Sequence, residues 1–296
     1  MACDLEFLDE AAEFLAAAAP LLAAEPLRCT VIASVAARTL RADAPRADTA
    51  PGARWWLVVR DADGAVLGAG MRQFPLPPFP VYLAEMPDQA AVLLARALHE
   101  RGEDVRAIDG FVPTIDVFAG ELAALSGRAV EPRERMSLYE VVDLVEPPMA
   151  AGTMRIADAE DGDLVHAWLE LFSADASEQA GRIDPHPSPI ETRESVGARI
   201  DAGQVWLWLD EAGVPVHVTA FSPPSNGVAR VGPVFTPKEH RGHGYAASAV
   251  AEVSRYLRGE GARVCLFADR DNPVSSALYV RLGYRAVATT GSVRLV

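Results

Sequence analysis

The sequence predicts an α/β fold of the α+β kind, with mixed sheets, and it predicts that fold twice in tandem. Two hairpins built to one plan, a shared order of elements behind each hairpin, and a break between the two sets point to it. The first hairpin, WWLVVRDADGAVLGAGMR over 55–72, joins two β-rich runs through Asp-Ala-Asp-Gly, where glycine supplies the positive φ of a tight turn. The second, VWLWLDEAGVPVHVTAF over 205–221, has Glu-Ala-Gly between two alternating strands.

Each hairpin follows a helical region and precedes two further strand-then-helix steps. In the first half PVYLAEM is followed by the helical QAAVLLARALHERG, then VRAIDGF and the helical VFAGELAALSG. In the second half GVARVGPVF leads to a helix from Tyr245, then ARVCLFA and SSALYVRLGY. Between them LVEPPMAAGTM, residues 144–154, interrupts both hydrophobic periods with paired prolines and a glycine, which sets domains at 1–147 and 152–296.

A chain of 296 residues, half of them hydrophobic, suffices for two cores of about 150 residues each. It has no apolar run of membrane-spanning length, and Asp4, Glu6, Asp9 and Glu10 stand where a secretion signal would be basic; a cytoplasmic protein without membrane partners is expected. Cys3, Cys29 and Cys265 are odd in number and far apart, which suits inert thiols better than disulfides or zinc. The net charge of −14 divides as −10 over residues 1–150 and −4 beyond. Nucleic acid is disfavoured as a partner, because phosphate contacts need a basic footprint. Lys238 is the only lysine beside 26 arginines, a bias that genomic base composition explains.

The second half contains VGPVFTPKEHRGHGYAASAVAEVSRYL. A strand breaks at Pro237, Gly242 and Gly244 follow, and Ala246, Ala249, Val250, Val253 and Leu257 mark one face of a helix. The glycines therefore stand at a helix N-terminus, where unpaired N–H groups and the positive end of the dipole favour an anion. Alone, they read more readily as an ordinary loop-to-helix turn. Neither G-x-x-x-x-G-K-[ST] nor a complete G-x-G-x-x-G is present.

A second passage, DRDNPVSSALYVRLGYRAV, places Asn272 to cap a helix, Pro273 in its first turn and Gly283 at its end. Asn272 and Tyr279 are seven apart and so lie on one side of that helix, about 10 Å apart along it.

Arg241, Gly244 and Ala246, followed by Asn272, Tyr279, Gly283 and Tyr284, resemble the acetyl-CoA loop and fourth helix of the GCN5-related N-acetyltransferases. The close resemblance covers roughly the last 140 residues. Over the first half it extends only to element order, since AEMPDQAAV stands where the glycine loop would be; that half reads as a degenerate repeat, as in tandem enzymes such as mycothiol synthase. The resemblance implies an N-acetyltransferase acting through a ternary complex of acetyl-CoA and a small-molecule amine, as a monomer or homodimer. It implies that Val234, Phe235 and Thr236 flank the pantetheine arm. The amides of Gly242, His243, Gly244, Tyr245, Ala246 and Ala247 would hold the pyrophosphate, with charge from Arg241. Asn272 would bond an amide of the ligand, a backbone amide near Val234 would stabilise developing charge, and Tyr279 would protonate the departing thiolate.

The general base stays open. GVARVGPVFT contains no carboxylate, leaving Glu178, Asp269 and Asp175 as candidates, each also readable as a solvated carboxylate or helix cap. His217 reads as a packed strand histidine. His240 and His243 lack a third ligand, so no metal is expected. Trp206 and Trp208 read as core, with an acceptor-site wall as the other possibility. Two other functions fit the same pattern: an acyl-CoA-binding regulatory module without catalysis, and aminoacyl transfer from charged tRNA, against which the acidic surface weighs.

Overall fold

The computed structural model describes residues 3–41, 54–74, 77–181 and 192–296. The chain divides into two compact units, Met1–Met136 with Ala288–Val296, and Ser137–Val287.

The first unit contains β1 (Cys3–Leu8), α1 (Ala11–Ala24), α2 (Thr30–Arg41), β2 (Trp55–Asp61), β3 (Val66–Arg72), β4 (Val81–Leu83), α3 (Asp88–Glu100), β5 (Ala107–Phe111) and α4 (Thr114–Ser126). The strand β6 (Val130–Val141) leads into the second unit. There follow β7 (Thr153–Ile156), α5 (Gly162–Gln179), α6 (Arg193–Asp201), β8 (Val205–Leu209), β9 (Pro215–Ser225), β10 (Val228–Phe235), α7 (Tyr245–Gly259), β11 (Arg263–Asp269), α8 (Pro273–Arg281) and β12 (Tyr284–Leu295). The last strand returns to the first unit, where Thr290–Arg294 pair antiparallel with β5.

Both predicted hairpins form, and both turn on the same device. The Asp61 carboxylate accepts from the N–H groups of Asp63 and Ala65, and that of Asp210 from Ala212 and Val214. Side-chain oxygens that mimic a backbone turn in this way are why aspartate opens such loops. The helices predicted in each half appear as α3, α4, α7 and α8. In α4 the chain ends at Gly127 in the left-handed region, φ 68°.

In each unit, the sheet is covered on both faces. Strand β2 is apolar without alternation for this reason: Trp55, Leu57 and Val59 face α3 and α4, while Trp56 and Val58 face α1 and α2. In the second unit Val218, Ala220 and Phe235 pack under α5 and α6, and Phe221, Ala229, Val231, Val264 and Leu266 under α7 and α8. The strands of the second unit follow one another as β6-β11-β10-β9-β8-β7, so β10 and β11 are parallel neighbours, each with a further strand on its other side. No helix among the described residues is long and apolar enough to cross a membrane.

Candidate active site

The two parallel neighbours β10 and β11 part company along their length. Strand β10 pairs with β11 at Val228↔Arg263, Ala229↔Val264 and Arg230↔Cys265 only. Beyond those residues Val231–Phe235 and Leu266–Asp269 run on without pairing to each other, and the edge each turns to the other is open for an extended ligand to bond. A bulge in β10 accompanies the parting: Val231 lies opposite Phe221 and Val234 opposite Thr219, three steps on one strand against two on the other. Gly232 supplies φ 143° there, a conformation side chains oppose, and Pro233 has no N–H to lose. The extra residue reverses the alternation, so Val231 and Val234 both pack toward α7 and Phe235 turns under α5. The three residues predicted to flank the arm, Val234, Phe235 and Thr236, follow the bulge on the unpaired stretch.

After Phe235 the chain passes Pro237, makes one 3-10 turn over Lys238–His240 and enters the glycine loop. Gly242 and Gly244 lie at φ 83° and 82°, and this is what requires glycine, since a Cβ on Gly242 would meet nothing within 4 Å and one on Gly244 only Ala150, at 3.8 Å. The loop is thus empty on its outer side. Gly244 is the N-cap of α7 and offers no side-chain cap, and the first turn holds no acidic residue. Among the described residues no acceptor meets the N–H groups of Gly242, His243, Gly244, Tyr245, Ala246 or Ala247. Six adjacent donors at the positive end of a helix dipole make a cradle for a doubly charged phosphate group. The rings of His243 and Tyr245 stack at 5.4 Å and 16°, bracing the loop from one side.

Arg241 reaches back rather than out. Its Nε donates to Thr236 O at 3.0 Å and its guanidinium pairs with the Asp175 carboxylate of α5. Asp175 also accepts from Gln179 Nε2 at 2.8 Å, and Gln179 Oε1 accepts from Asn272 Nδ2 at 3.2 Å. Asn272 caps α8, its Oδ1 accepting from Ser275 N at 3.1 Å, a bond worth about 1 kcal/mol to the helix. Tyr279, seven residues on, is 7% exposed between the rings of Tyr139 and Tyr284. Its hydroxyl makes no hydrogen bond with the described residues. Burial pushes its pKa up to about 12, so it keeps its proton at neutral pH.

The remaining predicted residues lie around this frame. Glu178 is exposed and bonded to Lys238 Nζ at 2.6 Å, which holds its carboxyl below the ordinary carboxylate range. Asp269 ends β11, where its Oδ1 accepts from Asp271 N at 2.9 Å. His217 is fully buried, Nδ1 2.7 Å from Thr236 Oγ1 and Nε2 2.6 Å from Thr219 Oγ1, and burial lowers its pKa to about 3. It is a neutral spacer between two hydroxyls that fixes Thr236. Trp208 is buried and donates to Ala151 O, while Trp206 packs on Tyr256. Among the described residues no cluster of three or more His, Cys, Asp and Glu could hold a metal ion. Sequence reasoning did not find Gln179. An exposed glutamine at a helix end carries no pattern of its own, and its partner lies 93 residues away.

Residues 225–293 match the family described as FR47-like protein, a span that contains β10, the glycine loop, α7, β11 and α8. Among curated proteins the sequence finds no match. Three solved structures are similar along nearly the whole chain. A GCN5-related N-acetyltransferase from Sphaerobacter thermophilus is 17% identical, with 99% of this chain and 95% of that chain covered and a TM-score of 0.61. A tandem GNAT protein from the clavulanic acid biosynthesis pathway is 17% identical, with 99% and 98% covered and a TM-score of 0.57. An acetyltransferase of the GNAT family from Colwellia psychrerythraea is 12% identical, with 99% and 98% covered and a TM-score of 0.56. With full-length likeness to these structures, one of them a tandem relative, the chain has the GCN5-related N-acetyltransferase fold, repeated in tandem.

Proposed function

We propose that this protein is a cytoplasmic acetyl-CoA-dependent N-acetyltransferase that acts on a small-molecule amine through a ternary complex, with its single active site in the second unit. One observation carries the reading: the open edge between β10 and β11 runs directly into six unpartnered N–H groups at the start of α7. A long ligand that is peptide-like at one end and a pyrophosphate at the other fits that succession, and the space outside Gly242 and Gly244 is free to receive it.

When bound, acetyl-CoA would supply an acetyl thioester as the electrophile. The chain's own groups do the rest. The amides from Gly242 to Ala247 bind the pyrophosphate, with Arg241 adding charge from the Thr236 side. Val234, Phe235 and Thr236 offer backbone bonds to the arm along the unpaired edge of β10, and Asn272 bonds it from the rim of β11. A backbone N–H near Val234, beside the bulge, would stabilise charge that develops on the reacting carbonyl. Tyr279 holds a proton at its hydroxyl for the leaving sulfur. The amine's proton goes to Asp269 or, through water, to Glu178. Because Lys238 lowers the Glu178 carboxyl, that group is a weak base, and the acceptor must arrive largely as the free amine.

Calorimetry with acetyl-CoA tests the binding half: saturable binding at one site per chain is expected, and no heat at millimolar ligand would remove the reading. Product formation across an amine library tests the catalytic half. The weak carboxylate base favours one alternative, a regulatory module that binds acyl-CoA without transferring it. Binding with no acetylated amine in the library would select that alternative.

A further inference from the structure

We infer that Gln179, at the end of α5, is a positioning residue for the cofactor arm, acting through Asn272. The inference rests on the acetyl-CoA reading above and adds to it a residue that the glycine-loop and α8 motifs do not contain.

Four side chains form one continuous line across the mouth of the gap between β10 and β11. It starts at Thr236 O, at the end of β10, and passes through Arg241, Asp175 and Gln179 to Asn272, just past the end of β11. Its polarity is fixed from both ends. Ser275 N can only donate, so the Asn272 atom that meets it is Oδ1, and the Asn272 amide nitrogen faces Gln179. Gln179 must then present Oε1 to Asn272, which turns its own NH2 group to the Asp175 carboxylate, an acceptor only. Every member is satisfied in one orientation and in no other.

The consequence lies in what is left over. Asn272 spends Oδ1 on the helix cap and one N–H on Gln179. A single amide hydrogen remains, and its direction is set by those two bonds. Without Gln179 the cap would still hold Oδ1, but the amide could turn about it and the remaining donor would lose its aim. A donor fixed before the ligand arrives spares the ordering cost at binding. Gln179 is exposed and alanine is a better helix former, so its removal leaves α5 folded and the cap of α8 intact.

The test is calorimetry with two probes, acetyl-CoA and adenosine 3′-phosphate 5′-diphosphate, which has the nucleotide and pyrophosphate of the cofactor but no arm. Gln179→Ala weakens acetyl-CoA about 3- to 10-fold, the range of one hydrogen bond, and changes the affinity for the armless nucleotide less than about twofold. Asn272→Ser keeps an N-capping oxygen and removes the amide; it weakens acetyl-CoA at least as much, and adding Gln179→Ala to it produces no further loss. Equal losses for both probes, additive losses in the double variant, or no loss from Gln179→Ala overturns the assignment while leaving the acetyl-CoA reading intact. Wild-type protein that binds neither probe brings down that reading and this assignment with it.

Discussion

The passage from β4 to α3 in the first unit and the passage from β10 to α7 in the second are the same step, strand to helix beside a parallel neighbour, yet they use their backbones in opposite ways. Strand β4 is paired with β5 along its whole length, Val81↔Ile108 to Leu83↔Gly110. The two approach so closely at the end that a Cβ on Gly110 would sit 2.1 Å from Leu83 O. Immediately beyond, Thr114 Oγ1 takes the Met86 N–H at 3.2 Å and donates to Met86 O at 3.3 Å, fastening the loop to the start of α4. Helix α3 then begins after Pro87 with Asp88 in its first turn, a carboxylate where the dipole would otherwise attract an anion. The first unit consumes its own polar backbone. The second leaves the equivalent groups open along β10 and around Gly242 and Gly244. A binding site in this architecture is made by what the chain declines to pair.

The sharpest way to break the comparison is to put a side chain into the open loop. Gly244→Glu places bulk and negative charge against the six donors, besides forcing a non-glycine residue to φ 82°. Acetyl-CoA affinity should fall by more than about 100-fold, since one like charge at close range costs several kcal/mol, with the circular dichroism spectrum unchanged. Wild-type titration should give one site per chain, and this variant none. A residual site would mean that the β4–α3 passage binds after all.

Next in size is Tyr279→Phe. The ring stays between Tyr139 and Tyr284 and only the proton donor goes, so turnover should drop roughly 10- to 1000-fold while acetyl-CoA affinity, read by calorimetry, shifts less than about threefold. Because Glu178 is held low and stays ionised, kcat/KM of the wild type should rise with pH following the acceptor amine. A limb set instead by an enzyme carboxylate near pH 6 would show that one of them is raised.

The closed passage offers the converse test. Thr114→Val removes both bonds to Met86 and leaves a buried N–H unpaired, which should lower stability in urea by about 1–3 kcal/mol and leave acetyl-CoA binding untouched. A change in affinity would give the first unit a part in the site.

What the sequence disclosed, and what it withheld, divides along the range of the interactions. The Asp-Ala-Asp-Gly turn, the Asn272 cap and the glycines before α7 are local devices, decided by neighbours within four residues, and they could be read directly. The β-rich runs of residues 55–72 announced a hairpin, but not that β2 would be covered on both faces. By contrast, residues 290–294 pair with β5, some 180 positions earlier, and no local pattern marks that return. The place of the cofactor arm beside Val234, Phe235 and Thr236 was reached through resemblance alone, because the strand pattern of GVARVGPVF does not mark where β10 leaves β11. The line from Arg241 to Asn272 was invisible for the same reason: Asp175 and Gln179 look like any helix-end polar residues, and only the fold sets them across the gap.

The last prediction concerns a cost confined to the second unit. Beneath α3 the first unit packs an apolar layer, including Leu57, Val81 and Leu94, whereas beneath α7 the second unit buries His217 between Thr219 and Thr236. The His217 pKa is lowered to about 3 in the folded chain, against about 6.5 for an unfolded histidine. Between those values the unfolded state binds a proton that the folded state refuses, so stability falls as pH falls through 6.5, and above that pH the group imposes no proton-linked penalty. From pH 7 to pH 5.5 His217 should account for about 1 kcal/mol of the loss. His217→Gln keeps a donor and an acceptor for the two threonines. Whatever its absolute stability, urea midpoints at the two pH values should differ less in this variant than in the wild type by that amount. Identical pH dependence would mean that His217 is protonated without penalty in the fold, and that the polar layer under α7 is more open than its geometry implies.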